Sequence, residues 1–187
     1  MNRLAAFAAA LIQGTLGLEF VLSGLDKFAD PHYVADFGQF VRVNPGAING
    51  PASILVKAFV LPHLTIASVA VLVVEVSLGF LLLIGAIDLG WRGFFEHRLW
   101  RSGYQAAAAL TSAVSGIGVA GLSLSIALLM GEQLPTVMSV NAFTTAIPVE
   151  LLLVPVGIGV ALIGVGRFTA LRIHSRTHGE WLRRRTA

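Results

Sequence analysis

The segment Gln13–Phe28, QGTLGLEFVLSGLDKF, decides the fold of this 187-residue chain. It is the second half of an apolar run over about 4-28, which is long enough to cross a bilayer as one helix. Helical spacing places two sets of residues on nearly opposite faces. One face carries Gln13, Gly17, Phe20, Gly24 and Lys27, and the other carries Thr15, Glu19 and Asp26. The glycines predict a close helix contact, and a carboxylate in an apolar run predicts contact with protein or a water-filled cavity.

The composition of the chain is that of a membrane protein with little mass outside the bilayer. Hydrophobic residues make up 56% of the sequence and charged residues 12%, whereas soluble domains carry about 25% charged residues. The absence of cysteine excludes disulfides, thiol relays, iron–sulfur clusters and covalently attached haem. The net charge of +3 does not indicate a nucleic-acid partner, because most of the excess is arginine beside membrane segments, where orientation explains it.

Four apolar runs predict an all-α fold, an integral membrane four-helix bundle that forms a single domain. The predicted spans are about 4-28, 62-87, 103-130 and 144-171, and a basic tail follows at 172-187. The first loop, 29–61, contains an amphipathic stretch after an Asp30-Pro31 cap, which predicts a short helix on the membrane surface. Ten of the 13 lysines and arginines lie on the side of the termini, which predicts an inner-membrane protein with both termini in the cytoplasm.

Two motifs resemble a known family. GLEFVLSGLDKF, from Gly17 to Phe28, resembles the G-x-x-F-x-x-x-G-x-x-K signature of DoxX-type membrane proteins. That group includes DoxD, the small membrane subunit of thiosulfate:quinone oxidoreductase. EVSLGFLLLIG, from Glu75 to Gly85, is similar to the acidic-then-glycine second helix of the family. The resemblance implies a membrane subunit that helps electron transfer from a small reduced substrate to membrane quinone, together with a partner subunit.

The ionisable residues in and beside the spans are the candidates for chemistry. Glu75 and Glu19 are the candidate catalytic residues, as proton relays, because an ionisable group inside a membrane is functional by default. No lysine or arginine is expected at the depth of Glu75, which predicts a neutral or hydrogen-bonded carboxyl group. A quinone headgroup needs donors to its two carbonyl oxygens, and we expect the candidate contacts to converge on one cavity open to the outer leaflet. These contacts are Lys27, His63, Tyr33 and Glu150.

Other interpretations stay open at this point. Each acid is also compatible with simple pairing inside the bundle, and a lysine at a helix end commonly snorkels to the interface. No metal or haem is indicated, because His63 is the only histidine near a span and His174 and His178 lack a third ligand. No redox cofactor site is visible, so catalysis by this chain alone is not expected. The rival functions are a non-catalytic subunit that anchors a larger respiratory, photosynthetic or oxidative-stress complex, and a small proton-coupled transporter.

Overall fold

The computed structural model describes residues 3–94, 102–131 and 149–186, and within these ranges all regular structure is helical. The elements in chain order are α1 (Arg3–Ala29), α2 (Tyr33–Val43), α3 (Pro45–Asn49), α4 (Ser53–Leu55), a π-helical turn (Val56–Val60), α5 (Leu64–Phe94), α6 (Ser102–Met130) and α7 (Val149–Thr186). Four of them, α1, α5, α6 and α7, are long and apolar enough to cross a membrane. The predicted all-α membrane bundle is therefore confirmed, and its helices contact lipid.

Helices α1 and α5 form an antiparallel pair whose backbones touch at glycines. A Cβ atom on Gly17 would lie 3.0 Å from the carbonyl oxygen of Gly79, and one on Gly79 would lie 2.9 Å from that of Gly17. Gly24 lies against Val76 in the same interface. The predicted glycine face of α1 is thus a helix contact, as expected for small residues in membrane helices.

Helices α6 and α7 form a second antiparallel pair of the same kind. A Cβ atom on Gly116 would lie 2.6 Å from the carbonyl oxygen of Gly157, and one on Gly164 would lie 2.7 Å from that of Ala109. These contacts involve backbone on both sides, so a side chain at either glycine would force the two helices apart. The small residues of α6 therefore have the close-packing role that their spacing predicts.

The two pairs meet through α5 and α6 and enclose one apolar cluster at the centre of the bundle. All four long helices contribute to it, and Leu82, Val119 and Val160 are almost completely buried. The members of this central cluster are Leu16, Phe20, Leu78, Leu82, Val119 and Val160. The cluster lies between the two ends of the bundle, at the middle of the four long helices.

Helices α2, α3 and α4 form a cap over one end of the bundle, which we call the loop end; the opposite end is the termini end. Val41, Ala47 and Val56 are the buried centre of the cap. Gly46 lies against the end of α6, where its Cβ position is 2.7 Å from the carbonyl oxygen of Leu129. The predicted amphipathic helix exists as α2, but it begins at Tyr33, and Asp30 Oδ1 accepts a bond from the backbone N–H of His32 at 2.8 Å.

Two helices continue beyond the predicted spans, for one physical reason. Helix α5 does not end at residue 87 but continues to Phe94, and Asp88 is buried within it. Helix α7 continues through the predicted tail to Thr186. Hydropathy marks where a helix leaves the apolar layer, whereas backbone hydrogen bonding continues until a residue or a contact ends it. The first part of the predicted fourth span, 144–148, lies outside the described residues.

Candidate functional site

The loop end of the bundle contains an ion pair between α1 and α5. Lys27 Nζ lies 2.5 Å from Glu75 Oε2 and donates a second bond to Ser23 Oγ at 2.9 Å. The exposed fraction is 28% for the Lys27 side chain and 6% for that of Glu75. The lysine is therefore partly reachable, while the carboxylate is enclosed by protein.

The expectation that Glu75 lacks a basic partner is wrong. Glu75 lies about 16 Å along α5 from Leu64, at 1.5 Å per residue, and Lys27 is in the last turn of α1. The close approach of Gly24 to Val76 brings the end of α1 beside the inner face of α5. The long lysine side chain then reaches the carboxylate, because burial of an unpaired charge is far more costly than bending a flexible side chain.

Tyr33 completes this site from the cap. Its hydroxyl group donates a bond to the backbone carbonyl oxygen of Ser68 at 3.2 Å, and Ser68 is fully buried on the face of α5 that carries Glu75. Burial, and next the charge of Glu75, raise the pKa of Tyr33 to about 12. The Tyr33 hydroxyl therefore stays protonated at physiological pH and remains a hydrogen-bond donor near the ion pair.

The Lys27–Glu75 pair keeps bonding capacity for a further molecule. An ammonium group has three donors, and Lys27 uses two of them on other described residues. Glu75 Oε1 accepts no hydrogen bond from the part of the chain that the structure describes. A donor and a proton acceptor thus lie next to each other under the cap, which suits a ligand that both accepts a bond and exchanges a proton.

The other predicted site residues lie elsewhere, so the expected convergence holds for Lys27, Tyr33 and Glu75 only. Glu19 is exposed on the opposite face of α1, and Glu150 is half-buried in the first turn of α7. His63 is exposed and lines a shallow groove of about 360 Å³ on the outer side of α5. The other residues that line the groove are Phe59, Val60, Ile66, Ala67 and Ala70.

A second buried polar centre, toward the termini end, was not among the sequence predictions. Arg167 of α7 donates a bond from Nη2 to Asp88 Oδ2 of α5, and the two side chains are only 11% and 6% exposed. Nearby, Gln13 Oε1 accepts a bond from Ser112 Oγ at 3.3 Å beside Gly85. The sequence contained a signal for this ion pair. An arginine lies inside the fourth predicted span, and an acidic residue directly follows the second predicted span, at the same end of the bundle.

Two nitrogen atoms of this second buried polar centre have no hydrogen-bond partner among the described residues. They are Gln13 Nε2 and Arg167 Nη1, and both are buried. The central apolar cluster lies between this centre and the Lys27–Glu75 pair. The two polar centres are therefore separate sites, and the pair under the cap is the one with a partly exposed member, Lys27.

Comparison of the chain with protein-family models, with curated proteins and with solved structures finds no match. Within the described residues, no group of three or more histidine, cysteine, aspartate or glutamate side chains is arranged to hold a metal ion.

Proposed function

We propose that this chain is the integral membrane subunit of a quinone-linked oxidoreductase, and that it binds the quinone headgroup at the Lys27–Glu75 pair. The observation that carries the proposal is the placement of Lys27, Glu75 and Tyr33 at one site beneath the cap. Two of these residues also lie in the motifs that resemble DoxX-type proteins, Lys27 in the first and Glu75 in the second.

The chemistry of a quinone fits the groups at this site. Reduction of a quinone adds two electrons and two protons, and it converts two carbonyl oxygens into hydroxyl groups. Lys27 supplies a positively charged donor for one carbonyl oxygen, through the hydrogen that its bonds to Ser23 and Glu75 leave free. The single hydroxyl proton of Tyr33 is used on the backbone carbonyl oxygen of Ser68, so Tyr33 borders the site from the cap. Glu75 holds or releases a proton at the same place. The electrons come from a small reduced substrate, thiosulfate in the DoxD case, through a redox centre on a partner subunit.

The surroundings of the site also suit a membrane quinone. The isoprenoid tail of a membrane quinone would lie in the lipid around the bundle, and the apolar groove beside His63 is on the outer side of α5, away from the pair. The central apolar cluster lies between the pair and the termini end. Protons for Glu75 therefore exchange at the loop end. With both termini in the cytoplasm, the loop end is on the outer side of the inner membrane.

One observation favours the second candidate, a non-catalytic subunit that anchors a larger membrane complex. Lys27 and Glu75 neutralise each other, and a buried ion pair of this kind also serves to fix the register of two helices. In that case the pair has no role in turnover, and the exposed helix faces provide the contacts with other subunits.

The experiment that separates these functions is Glu75→Gln in the reconstituted complex. The amide oxygen still accepts the bond from Lys27, so we expect assembly on a native gel to be unchanged. Quinone reduction is expected to fall by about 100-fold, within the range for loss of a general acid–base group. Asp36→Asn, an exposed acid on α2, is the matched control and should retain full activity. Full activity of the glutamine variant would remove Glu75 from the mechanism and favour the anchoring subunit.

A further inference from the structure

The outer face of α1 carries an exposed acidic stripe in the middle of an apolar span. Its residues are Thr15, Glu19, Leu22 and Asp26, which follow one another at spacings of four and three and are all exposed. The side chain of Leu22 is 61% exposed. This face points away from α5, so the bundle itself does not cover it.

Glu19 lies near the middle of the membrane by the register of the helices. Val21 packs against Gly79, which is close to the centre of the α5 span Leu64–Trp91. Ten residues separate Glu19 from the end of α1, or about 15 Å at 1.5 Å per residue. A glutamate side chain is too short to reach the interface from that depth, and an intramembrane carboxylate normally contacts protein or a water-filled cavity.

Nothing in the described part of the chain satisfies this carboxylate. Glu19 makes no hydrogen bond or ion pair with another described residue. Lys27 and Arg167 are already paired with Glu75 and Asp88. The remaining lysines and arginines of the sequence lie at the ends of spans or in loops and the tail. A second copy of this chain therefore has no free cation to place beside Glu19 at mid-membrane.

We infer that this face of α1 binds a transmembrane helix of a different protein, which places a lysine or arginine opposite Glu19. A lysine or arginine at that position would neutralise the carboxylate, and in the absence of water such a pair is strongly favoured over an isolated carboxylate. Leu22 and its exposed neighbours supply the apolar contact around the pair. This face of α1 is then the docking surface for the partner subunit of the proposed function, on which the inference rests, but the contact itself does not require quinone.

The first test is site-specific photo-crosslinking in native membranes. A benzoylphenylalanine at Leu22 should crosslink to one protein whose transmembrane helix has a lysine or arginine at matching depth, as identified by mass spectrometry. The same probe at Phe80, an exposed α5 residue on another side of the bundle, should not capture that protein. A crosslink to a second copy of this chain, to a helix without a basic residue, or to no protein would overturn the inference.

The second test is charge exchange, which separates docking from folding and from catalysis. Glu19→Leu should reduce the recovered complex at least tenfold on a native gel, while the isolated subunit melts like the parent, because Glu19 makes no hydrogen bond or ion pair with another described residue. Glu19→Lys should also abolish assembly, and exchange of the partner's basic residue for glutamate should restore it. Normal assembly of Glu19→Leu, or failure of the exchange, would reject the inference. Loss of assembly at Glu19 and loss of turnover at Glu75 are distinct results, so one proposal can fail without the other.

Discussion

Lys27 and Glu75 are 48 positions apart in sequence, yet Lys27 Nζ lies 2.5 Å from Glu75 Oε2. This pair joins the end of α1 to the inner face of α5 directly under the cap. Its two members come from different motifs of the sequence, and neither motif alone reveals the contact. The pair is therefore both a structural link between two spans and the centre of the candidate site.

Removal of Lys27 should destabilise the bundle more than removal of Glu75. Lys27→Met leaves a buried carboxylate without its partner, and we expect a loss of about 1–3 kcal/mol in the free energy of unfolding. In the double variant Lys27→Met, Glu75→Gln part of this loss should be recovered, because no buried charge remains. Unfolding in mixed micelles, analysed as a double-mutant cycle, measures the coupling.

Lys57→Met is the control for this cycle. Lys57 is exposed and donates to the carbonyl oxygen of Ile48 in the cap, so the change should stay within about 0.5 kcal/mol. A loss for Lys27→Met no larger than that of the control would contradict the ion pair.

The glycines of the α6–α7 interface should tolerate no side chain. In Gly116→Ala the new methyl group would meet backbone atoms of Ala161 and Gly157, so we expect a loss of about 1–3 kcal/mol from overpacking. In the α1–α5 interface, Gly24→Leu should also lower thermal stability, because the new side chain would meet Val76. Gly121→Ala is the matched control, since nothing lies within 4 Å of its Cβ position, and it should be neutral or slightly stabilising. Equal melting temperatures for Gly116→Ala and Gly121→Ala would contradict the packing.

Tyr33 should titrate far above an ordinary tyrosine. The chain has two tyrosines, so in the Tyr104→Phe background the tyrosinate absorbance reports Tyr33 alone, with a pKa expected at about 12. Below pH 10 the hydroxyl is protonated in both the folded and the unfolded chain, and its contribution to stability is fully present. Between pH 10 and 12 only the unfolded chain releases the proton, so stability falls as the pH rises.

The control for this titration is Tyr33→Phe, in which that part of the alkaline loss should disappear. The difference in alkaline stability between the two proteins isolates the contribution of Tyr33. A midpoint near 10 in the Tyr104→Phe protein would show that Tyr33 is not held beneath the cap.

The buried Arg167–Asp88 pair should contribute more to the free energy of unfolding than an exposed arginine does. Arg167→Met removes the cation that bonds to the buried Asp88 carboxylate, and we expect a loss of about 1.5–3 kcal/mol in the free energy of unfolding. Arg42→Met, at an exposed position of α2, should cost less than about 0.5 kcal/mol. Chemical unfolding of the two variants in the same detergent provides the comparison, and similar midpoints would rule out a buried pair at the termini end.

The orientation of the bundle can be tested directly because the chain has no cysteine. Asn49→Cys, exposed on α3 in the cap, and Arg3→Cys, exposed at the start of α1, report opposite ends. If both termini are cytoplasmic, a membrane-impermeant thiol reagent added outside intact cells labels position 49 and not position 3. Labelling of position 49 from the cytoplasmic side alone would reverse the proposed orientation.

Part of this structure follows from local patterns. Runs of apolar residues determine the four spans, because a helix in lipid must satisfy its own backbone and needs about 20 residues to cross. Helical spacing also separates the buried face of α1, with Gly17 and Gly24, from the exposed face that carries Glu19. Both properties depend only on residues within one segment, so the sequence alone determines them.

Tertiary structure decided which charges meet. The partner of Glu75 depends on the register in which α1 passes α5, and that register follows from the mutual contact of Gly17 and Gly79. Burial of Asp88 likewise required α7 to bring Arg167 to the same level of the bundle. No periodicity within one helix contains this information, because the free energy of a buried charge depends on groups that only the packing of separate helices brings within reach.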